Sequence, residues 1–356
     1  MINQVIMAVM AAGAALGGAD RILGNRMGLG ERFEQGFLLL GPTALSMAGM
    51  ICLAPVLADA LGWVVVPLYR AMGMDPAMFG SFLAVDMGGY QLSWELAADP
   101  RIGSYAGLVV ASIFGCTLVF TIPVGMGIIG ENDRGLFAQG VMLGLTAMPA
   151  GLVAGGLVCG LSLSECLWQN LPCFVLALLL LLGLWKIPGP MVKGFCTAAR
   201  GIRAVVTAGL TLAAVEYLTG WNPVPGMAPV EEAMGVAASI GVVMLGSLPV
   251  AELLRRVLER PFSRLGGRMG VKPQSLAGML VSLASPLPAL AMFGDMDDRG
   301  KVAVGAFLVS GASLLAAHMG FVVGTQPDML AALMAGKLTG ALCAAALALW
   351  AGRKTP

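Results

Sequence analysis

The feature that most constrains this chain is a series of eleven apolar segments, most of them about 20 residues long, that together cover most of the sequence. About 20 apolar residues suffice for a helix to cross the hydrocarbon core of a bilayer. The segments lie near residues 3–19, 36–58, 77–96, 104–129, 136–160, 167–185, 204–218, 233–251, 274–294, 302–325 and 328–350. Such a series predicts an all-α polytopic membrane protein.

The composition agrees with a membrane protein and argues strongly against a soluble enzyme. Hydrophobic residues make up 58% of the chain and charged residues only 12%, whereas soluble domains carry roughly 25% charged residues. The balance of 21 Lys and Arg against 20 Asp and Glu leaves no basic surface for nucleic acid. No Lys or Arg precedes the apolar run at residues 3–19, so a first span is a better interpretation than a signal peptide.

The sequence predicts neither a metal site nor a cofactor. Its seven cysteines form no CxxC motif and lie in or beside apolar stretches, where cysteine usually acts as a small packing residue. A single histidine, His318, cannot build a zinc site alone.

An internal repeat divides the chain. Proline and glycine positions recur in order and at similar spacing in the two halves. The matched positions are Pro55 with Pro249, Pro67 with Pro261, Pro76 with Pro273, and Gly107 with Gly305. The repeat predicts a first membrane unit at residues 1–160, a linker span at 161–199 and a second unit at 200–356.

The charged loops predict that the two units are inverted across the membrane. Loop 20–35 has three Lys or Arg residues, and its partner loop 216–232 has none. Loop 59–76 has only Arg70, whereas its partner loop 252–273 has six basic residues. Because cytoplasmic loops carry the excess of Lys and Arg, the basic side changes between the copies.

The same rule favours two re-entrant hairpins, at 77–96 and 274–294. If each hairpin enters and leaves on one side, 18 of the 21 basic residues become cytoplasmic, and the exceptions are Arg70, Arg101 and Lys337. The prediction is therefore nine full spans and two hairpins in a bacterial inner-membrane protein. Both hairpins are interrupted at mid-length. The interrupting residues are Asp86, Gly88 and Gly89 in the first, and Ser285, Pro286 and Pro288 in the second.

Two interrupted hairpins predict a site at the middle of the membrane, because non-helical backbone is tolerated there only inside protein or beside a watery cavity. Asp86 is its sharpest candidate, since a charged group near the bilayer centre costs at least about 3 kcal/mol. Tyr90 and Trp94 follow at four-residue steps, so a helix would align them with Asp86 as a carboxylate and two aromatic faces for a small ammonium ligand. Asp86 could instead cap a helix, and Trp94 could be an interfacial anchor. Glu95 is a candidate at the mouth of the site.

Four further polar residues lie within apolar spans. His318 could relay protons or bind the ligand, or be a packing residue. Lys337 could be an internal counter-ion to Asp86, or could snorkel to the interface. Thr117 and Thr121 could line the path, or could bond to carbonyls of their own helix.

At these residues the sequence resembles the EutH-type ethanolamine permeases over nearly its whole length. The most specific block is Asp86-Met-Gly-Gly-Tyr90. The similarity extends to residues 19–25, 28–31, 53–56, 75–79, 95–100, 296–302 and 336–340. One departure is Ala317, directly before His318, where the family carries an acidic residue.

The resemblance implies uptake of ethanolamine, which would feed a cytoplasmic ammonia-lyase pathway often housed in a microcompartment. The partners implied are ethanolamine, the lipid bilayer and, as an open alternative, further copies of the chain. A transporter of another small amine or amino acid is the runner-up function, and a channel is a third. A membrane-embedded enzyme fits least, because the chain has no HExxH motif, no cluster of His and Cys ligands and no evident Ser/Lys dyad.

Overall fold

The computed structural model describes residues 2–83 and 89–352, and within them the regular structure is entirely helical. The α-helices are α1 (Ile2–Ile22), α2 (Leu29–Leu38), α3 (Leu40–Ala71), α4 (Ala77–Gly80), α5 (Gly89–Leu96), α6 (Pro100–Ser104), α7 (Ile122–Ile128), α8 (Arg134–Val158), α9 (Leu163–Gln169), α10 (Leu171–Lys186), α11 (Pro188–Thr219), α12 (Val230–Met269), α13 (Pro273–Ala284), α14 (Pro286–Ala291), α15 (Asp298–Gly311), α16 (Met319–Thr325) and α17 (Leu330–Ala351).

Wider and tighter helical turns occur between them. Three segments are π-helical: Tyr105–Gly115, Thr117–Thr121 and Leu314–His318. Four single turns of 3₁₀ helix lie at Ser81–Leu83, Glu131–Asp133, Phe293–Asp295 and Pro327–Met329.

The architecture confirms the predicted all-α polytopic membrane protein. Within residues 2–83 and 89–352, eight helical stretches are long and apolar enough to cross a membrane. Helices α9 and α10 meet at a bend of 52° and together would make a ninth span. The two segments predicted as hairpins are not among these stretches, because each is divided into shorter helices.

A buried carboxylate ties together the two ends of the first hairpin. Asp75, just before α4, accepts backbone hydrogen bonds from Ala77, Ala98 and Asp99 at 2.8–3.2 Å. Ala98 and Asp99 follow the far end of α5, so the segment leaves close to where it enters. This is the geometry of a re-entrant hairpin rather than of a full crossing.

The second hairpin is closed by a carboxylate at its other end. Asp297, which caps α15, accepts a 2.7 Å bond from the backbone N–H of Lys272 and a 2.8 Å bond from the Ser275 hydroxyl. It also accepts from the backbone N–H of Gly300 at 3.1 Å. Between these ends the chain breaks at Ser285, an extended residue between α13 and α14.

Three helices, α8, α15 and α17, pack tightly through glycine. A β-carbon on Gly140 of α8 would lie 2.5 Å from the carbonyl oxygen of Val302 in α15. One on Gly151 would lie 2.6 Å from the carbonyl oxygen of Gly336 in α17. Such contacts are typical of membrane helices whose backbones approach closely.

The order of elements is the same in both halves of the chain. Apart from α2, which has no counterpart in the second half, each half has a long helix, a helix with two prolines in its interior, a hairpin, a distorted span and a final span. This order is consistent with units at 1–160 and 200–356 joined by a linker at 161–199. The unit boundaries and the inversion of the second unit stay predictions.

Candidate functional site

The span that follows the second hairpin is broken near its middle. Helix α15 ends at Gly311, and the helical path resumes as a π-helix at Leu314. Between them Ser313 has φ 57°, a left-handed conformation that side chains other than glycine rarely adopt. Strained backbone and π-helical turns are often found at functional sites, so this break is the starting point for locating the site.

The break gives new partners to two backbone groups, the N–H of Ser313 and the carbonyl oxygen of Val309. In a regular α-helix the N–H of Ser313 would donate to the carbonyl oxygen of Val309. Here it donates to the carbonyl oxygen of Ser282, near the tip of the second hairpin, at 2.9 Å. The Val309 oxygen instead accepts from the Thr117 hydroxyl at 2.9 Å, while the same hydroxyl lies 2.7 Å from the Ile113 oxygen of its own helix.

A buried lysine on helix α17 contacts the distorted span of the first half. Lys337 of α17 has no solvent-exposed surface, and its ammonium donates a 2.8 Å hydrogen bond to the carbonyl oxygen of Ser112. Ser112 belongs to the π-helical segment Tyr105–Gly115 of the first half. Because the ammonium ends on a carbonyl inside the protein, Lys337 is not a lysine that snorkels to the interface.

The His318 side chain forms a hydrogen bond to the backbone at the break in its own span. Its Nδ1 lies 3.1 Å from the carbonyl oxygen of Ala312, so Nδ1 carries the proton in this bond. Its side chain is almost completely buried. The bond explains how the chain can turn at Ala312 and Ser313 without leaving that carbonyl unsatisfied.

An aromatic cluster connects the first hairpin to the same broken span. The Tyr90 ring meets Phe321 edge-to-face with centroids 5.7 Å apart, and Phe321 follows His318 by three residues. Trp94 packs on the other side of Tyr90 at 6.0 Å, with 42% of its surface exposed. The Tyr90 hydroxyl lies 3.5 Å from the Gln326 side-chain oxygen, a long hydrogen bond.

The remaining predicted site residues divide into three groups. Asp86 and Gly88 lie outside the described residues, and the chain resumes at Gly89, which is buried at the start of α5. Thr121 is buried, and its hydroxyl has no hydrogen-bond partner within the part of the chain that the structure describes. The other four lie at hairpin positions: Ser285 and buried Pro286 at the second break, and exposed Pro288 and Glu95.

The structure therefore brings together four of the predicted residues. Thr117, His318 and Lys337 all bond to carbonyls at the distorted turns, and Tyr90 reaches the same span through Phe321. This set is called the polar junction below, together with the carbonyl groups of Ser112, Val309 and Ala312. Among the described residues no three His, Cys, Asp or Glu side chains form a group that could hold a metal ion.

Sequence reasoning did not identify the carbonyl acceptors or Phe321. Backbone carbonyls carry no sequence signal unless the helix is known to be distorted at that turn. Phe321 lies 231 positions from Tyr90 and looks like any apolar residue of a span. The one available signal was Ser313, a small polar residue directly after Gly311-Ala312 in a largely apolar span.

Comparison with known proteins identifies the family. The family model described as "Ethanolamine utilisation protein, EutH" matches residues 2–351. A Listeria monocytogenes protein named "Probable ethanolamine permease EutH" is 41% identical over 350 residues, which cover 98% of this chain and 94% of the relative.

Two further relatives extend the comparison. The Bacillus subtilis protein named "Uncharacterized protein YxeR" is 39% identical over 350 residues, 98% of this chain and 95% of the relative. The Salmonella typhimurium "Probable ethanolamine permease EutH" is 37% identical over 387 residues, again 98% and 95%. No solved structure matches the chain. With its matched length and its multiple apolar helices, the chain belongs to the EutH family of ethanolamine utilisation proteins.

Proposed function

We propose that this protein is a permease that carries ethanolamine, in its ammonium form, across the bacterial inner membrane. The observation that carries the proposal is the polar junction, a set of buried polar contacts at helix distortions within apolar spans. Transporters commonly bind substrates where helices are discontinuous near the membrane midplane. The names of the relatives from Listeria and Salmonella support ethanolamine as the substrate.

The chemistry of the substrate fits the predicted residues. An amine with a pKa near that of lysine is overwhelmingly cationic at pH 7, and a cation in a low-dielectric site needs a compensating charge. Asp86 is the proposed anionic partner. Tyr90 and Trp94 supply aromatic faces that attract ammonium groups, and their rings lie together on α5.

The other predicted residues have proposed roles around this centre. Thr117 and Thr121 lie on the distorted span of the first half, Ser285 at the second break, and Glu95 near the mouth of the first hairpin. His318 and Lys337 hold the distorted turns. Loading of the site from one side and release to the other would require alternating access rather than a continuous pore.

The test is uptake of labelled ethanolamine by the purified protein in proteoliposomes, with and without a pH gradient. Saturable uptake above that of protein-free liposomes is expected, and these liposomes also measure diffusion of the neutral amine. Unlabelled ethanolamine should compete better than other small amines or amino acids. Protein-dependent uptake of an amino acid that ethanolamine does not inhibit would instead favour the runner-up function.

A further inference from the structure

We propose that the groove where α1, α2 and α12 meet is a binding site for one phospholipid with an ethanolamine headgroup. The phosphate of this lipid binds Arg21, its ammonium binds Glu34, and an acyl chain lies along the apolar part of the groove. The groove shares no residue with the polar junction, and the proposal is independent of the substrate assigned above. It makes the bilayer a partner with a defined headgroup chemistry.

The groove is formed by residues of all three helices and has a volume of about 410 Å³, within the range of small-molecule sites. Its lining consists of two oppositely charged side chains and four apolar ones. These are Arg21 of α1, Phe33, Glu34, Phe37 and Leu38 of α2, and Leu245 of α12. Because Phe37 and Leu38 are 59% and 66% exposed, the groove opens on the surface of the helix bundle that lipid would cover.

Glycine contacts fix the three helices beside the groove. A β-carbon on Gly17 of α1 would lie 2.9 Å from Phe33 of α2 and 2.9 Å from Pro249 of α12. One on Gly13 would lie 2.5 Å from the Gly246 carbonyl oxygen of α12. Because these contacts advance in the same direction along α1 and α12, the two helices lie side by side and parallel. The walls of the groove are therefore positioned by backbone packing.

The charged and the apolar residues lie at different depths. Arg21 lies 19 residues after the start of α1, roughly 28 Å along the helix at 1.5 Å per residue, so a helix that crosses a core of roughly 30 Å brings it to the interface. Leu245 lies beside Gly13, eight residues and roughly 12 Å before Arg21 along α1. Leu38 lies one turn beyond Glu34 on the same face of α2. The groove thus runs from a charged end at the interface toward the middle of the membrane.

The two charged side chains match the charges of the headgroup. The Arg21 Nε lies 3.3 Å from the Glu34 Oε2, and both side chains are about half exposed. Within residues 2–83 and 89–352, neither forms a hydrogen bond or ion pair with a third residue. A guanidinium binds phosphate through its paired N–H groups, and a carboxylate accepts hydrogen bonds from a primary ammonium. Side by side, the two groups complement a headgroup with one phosphate and one ammonium.

This charge pattern distinguishes between headgroups. A choline headgroup carries the same charges but has no N–H, so it cannot donate a hydrogen bond to Glu34. A glycerol headgroup leaves the lipid with a net negative charge, which the Glu34 carboxylate would repel. Loop 20–35 has three basic and three acidic residues, so it offers no general attraction for anionic lipids.

Native mass spectrometry of the purified full-length protein measures the affinity for the first added lipid. The probes are phosphatidylethanolamine, phosphatidylcholine and phosphatidylglycerol with identical acyl chains. Phosphatidylethanolamine should bind roughly fivefold more tightly than phosphatidylcholine, as expected for one exposed ion pair, and also more tightly than phosphatidylglycerol. Equal affinities for the three lipids, or a preference for phosphatidylglycerol, would overturn the proposal.

Two substitutions separate the headgroup contacts. Glu34→Gln removes the carboxylate charge at nearly constant volume, so the affinities for phosphatidylethanolamine and phosphatidylcholine should come within about twofold of each other. Arg21→Gln removes the phosphate contact and should weaken the binding of both lipids roughly fivefold. An unchanged lipid preference in Glu34→Gln would mean that Glu34 only ties α2 to α1, and would contradict the proposal.

A third substitution tests the apolar part of the groove. Leu38→Trp fills the groove and should weaken the binding of phosphatidylethanolamine, whereas Leu178→Trp, at a similarly exposed position of α10, should bind it as the wild type does. Equal lipid binding by these two variants would contradict an acyl chain in the groove. Arg21, Glu34 and Leu38 are exposed, so their variants should fold.

Free ethanolamine in excess provides the last control. It lacks the phosphate and the acyl chains, so it should not displace the bound lipid. Displacement would place the lipid in the transport site and overturn the assignment to the groove. Because the measured quantity is lipid binding, the result does not depend on whether the protein transports ethanolamine.

Discussion

The Thr117 hydroxyl lies 2.9 Å from the Val309 carbonyl oxygen and 2.7 Å from the Ile113 oxygen of its own helix, so its single hydrogen is shared between them, and it joins the distorted span of the first half to the broken span of the second. The two residues are 192 positions apart in the chain. The bond exists because the N–H of Ser313, the regular helical partner of that oxygen, bonds instead to Ser282. Side chains of one half thus donate hydrogen bonds to backbone carbonyls of the other half at the proposed site.

Replacing Thr117 with valine keeps the shape of the side chain but removes this donor. The Val309 oxygen would lose its share of this donor, at a cost of up to about 1–3 kcal/mol of stability. We expect a lower unfolding temperature in detergent and an ethanolamine uptake rate reduced about tenfold. Thr146→Val is the matched control, since that exposed hydroxyl bonds to Met142 of its own helix. Equal behaviour of the two variants would argue against a role for the inter-half bond.

Asp86 is expected to be indispensable for transport. Asp86→Asn removes the negative charge at almost constant volume, so the ammonium substrate would lose its compensating charge. Uptake should be abolished while the purified variant keeps its elution profile and unfolding temperature. Asp59→Asn, at an exposed position of α3, should transport normally. Normal uptake by well-folded Asp86→Asn would favour the helix-capping interpretation of this residue.

Asp297 makes the stability of the second hairpin dependent on pH. Burial works to raise the pKa of its carboxyl, but hydrogen bonds from the Lys272 and Gly300 backbone and from the Ser275 hydroxyl outweigh burial, so the pKa is lowered overall. A lowered folded-state pKa means that the stabilisation is complete above the unfolded-state value of about 3.9. It is lost as the pH falls from there through the folded-state pKa.

Asp297→Ala should therefore destabilise the protein at pH 7 and much less in acid. The expected cost at pH 7 is about 0.5–2 kcal/mol, the usual range for the loss of a helix N-cap. Thermal unfolding in detergent at pH 7 and below pH 4 measures the difference from the wild type. Asp295→Ala, an exposed neighbour, is the control. A difference for Asp297→Ala that does not shrink in acid would contradict the sign of the pKa shift.

The loop at residues 252–273 should be cytoplasmic. A cysteine placed at Arg260 should resist an impermeant thiol reagent in intact cells and react after lysis. A cysteine at Asn222, in the loop without basic residues that follows α11, should react in intact cells. Labelling of the Arg260 position in intact cells would overturn the topology and, with it, the predicted inversion of the two units.

Much of the fold follows from simple sequence patterns. Apolar length alone locates the spans, and the breakers around Gly88 and Pro286 mark the two segments predicted as hairpins. The depth of Lys337 also follows from its distance to the start of its helix. These properties are local, because each depends on a short stretch of chain and on the thickness of the bilayer.

The break at Ala312 and Ser313 could not be predicted in the same way. No proline interrupts this span, and small residues such as Gly311 are common throughout the chain. The break is held by partners that are distant in sequence, chiefly Ser282 and Thr117. Distortions that depend on tertiary hydrogen bonds leave no periodic signal, so the acceptors of the proposed site appear only in three dimensions.

The second hairpin is anchored at both ends of its length, and this limits the movements available to a transport cycle. At its base Asp297 binds Lys272, and near its tip the Ser282 oxygen binds Ser313. Asp297 and Ser313 lie just beyond the two ends of helix α15. The hairpin is therefore attached to this helix at two points, and the two form one rigid frame. Swinging the hairpin open by itself would break contacts at two levels of the membrane, whereas moving the frame as one body would preserve both.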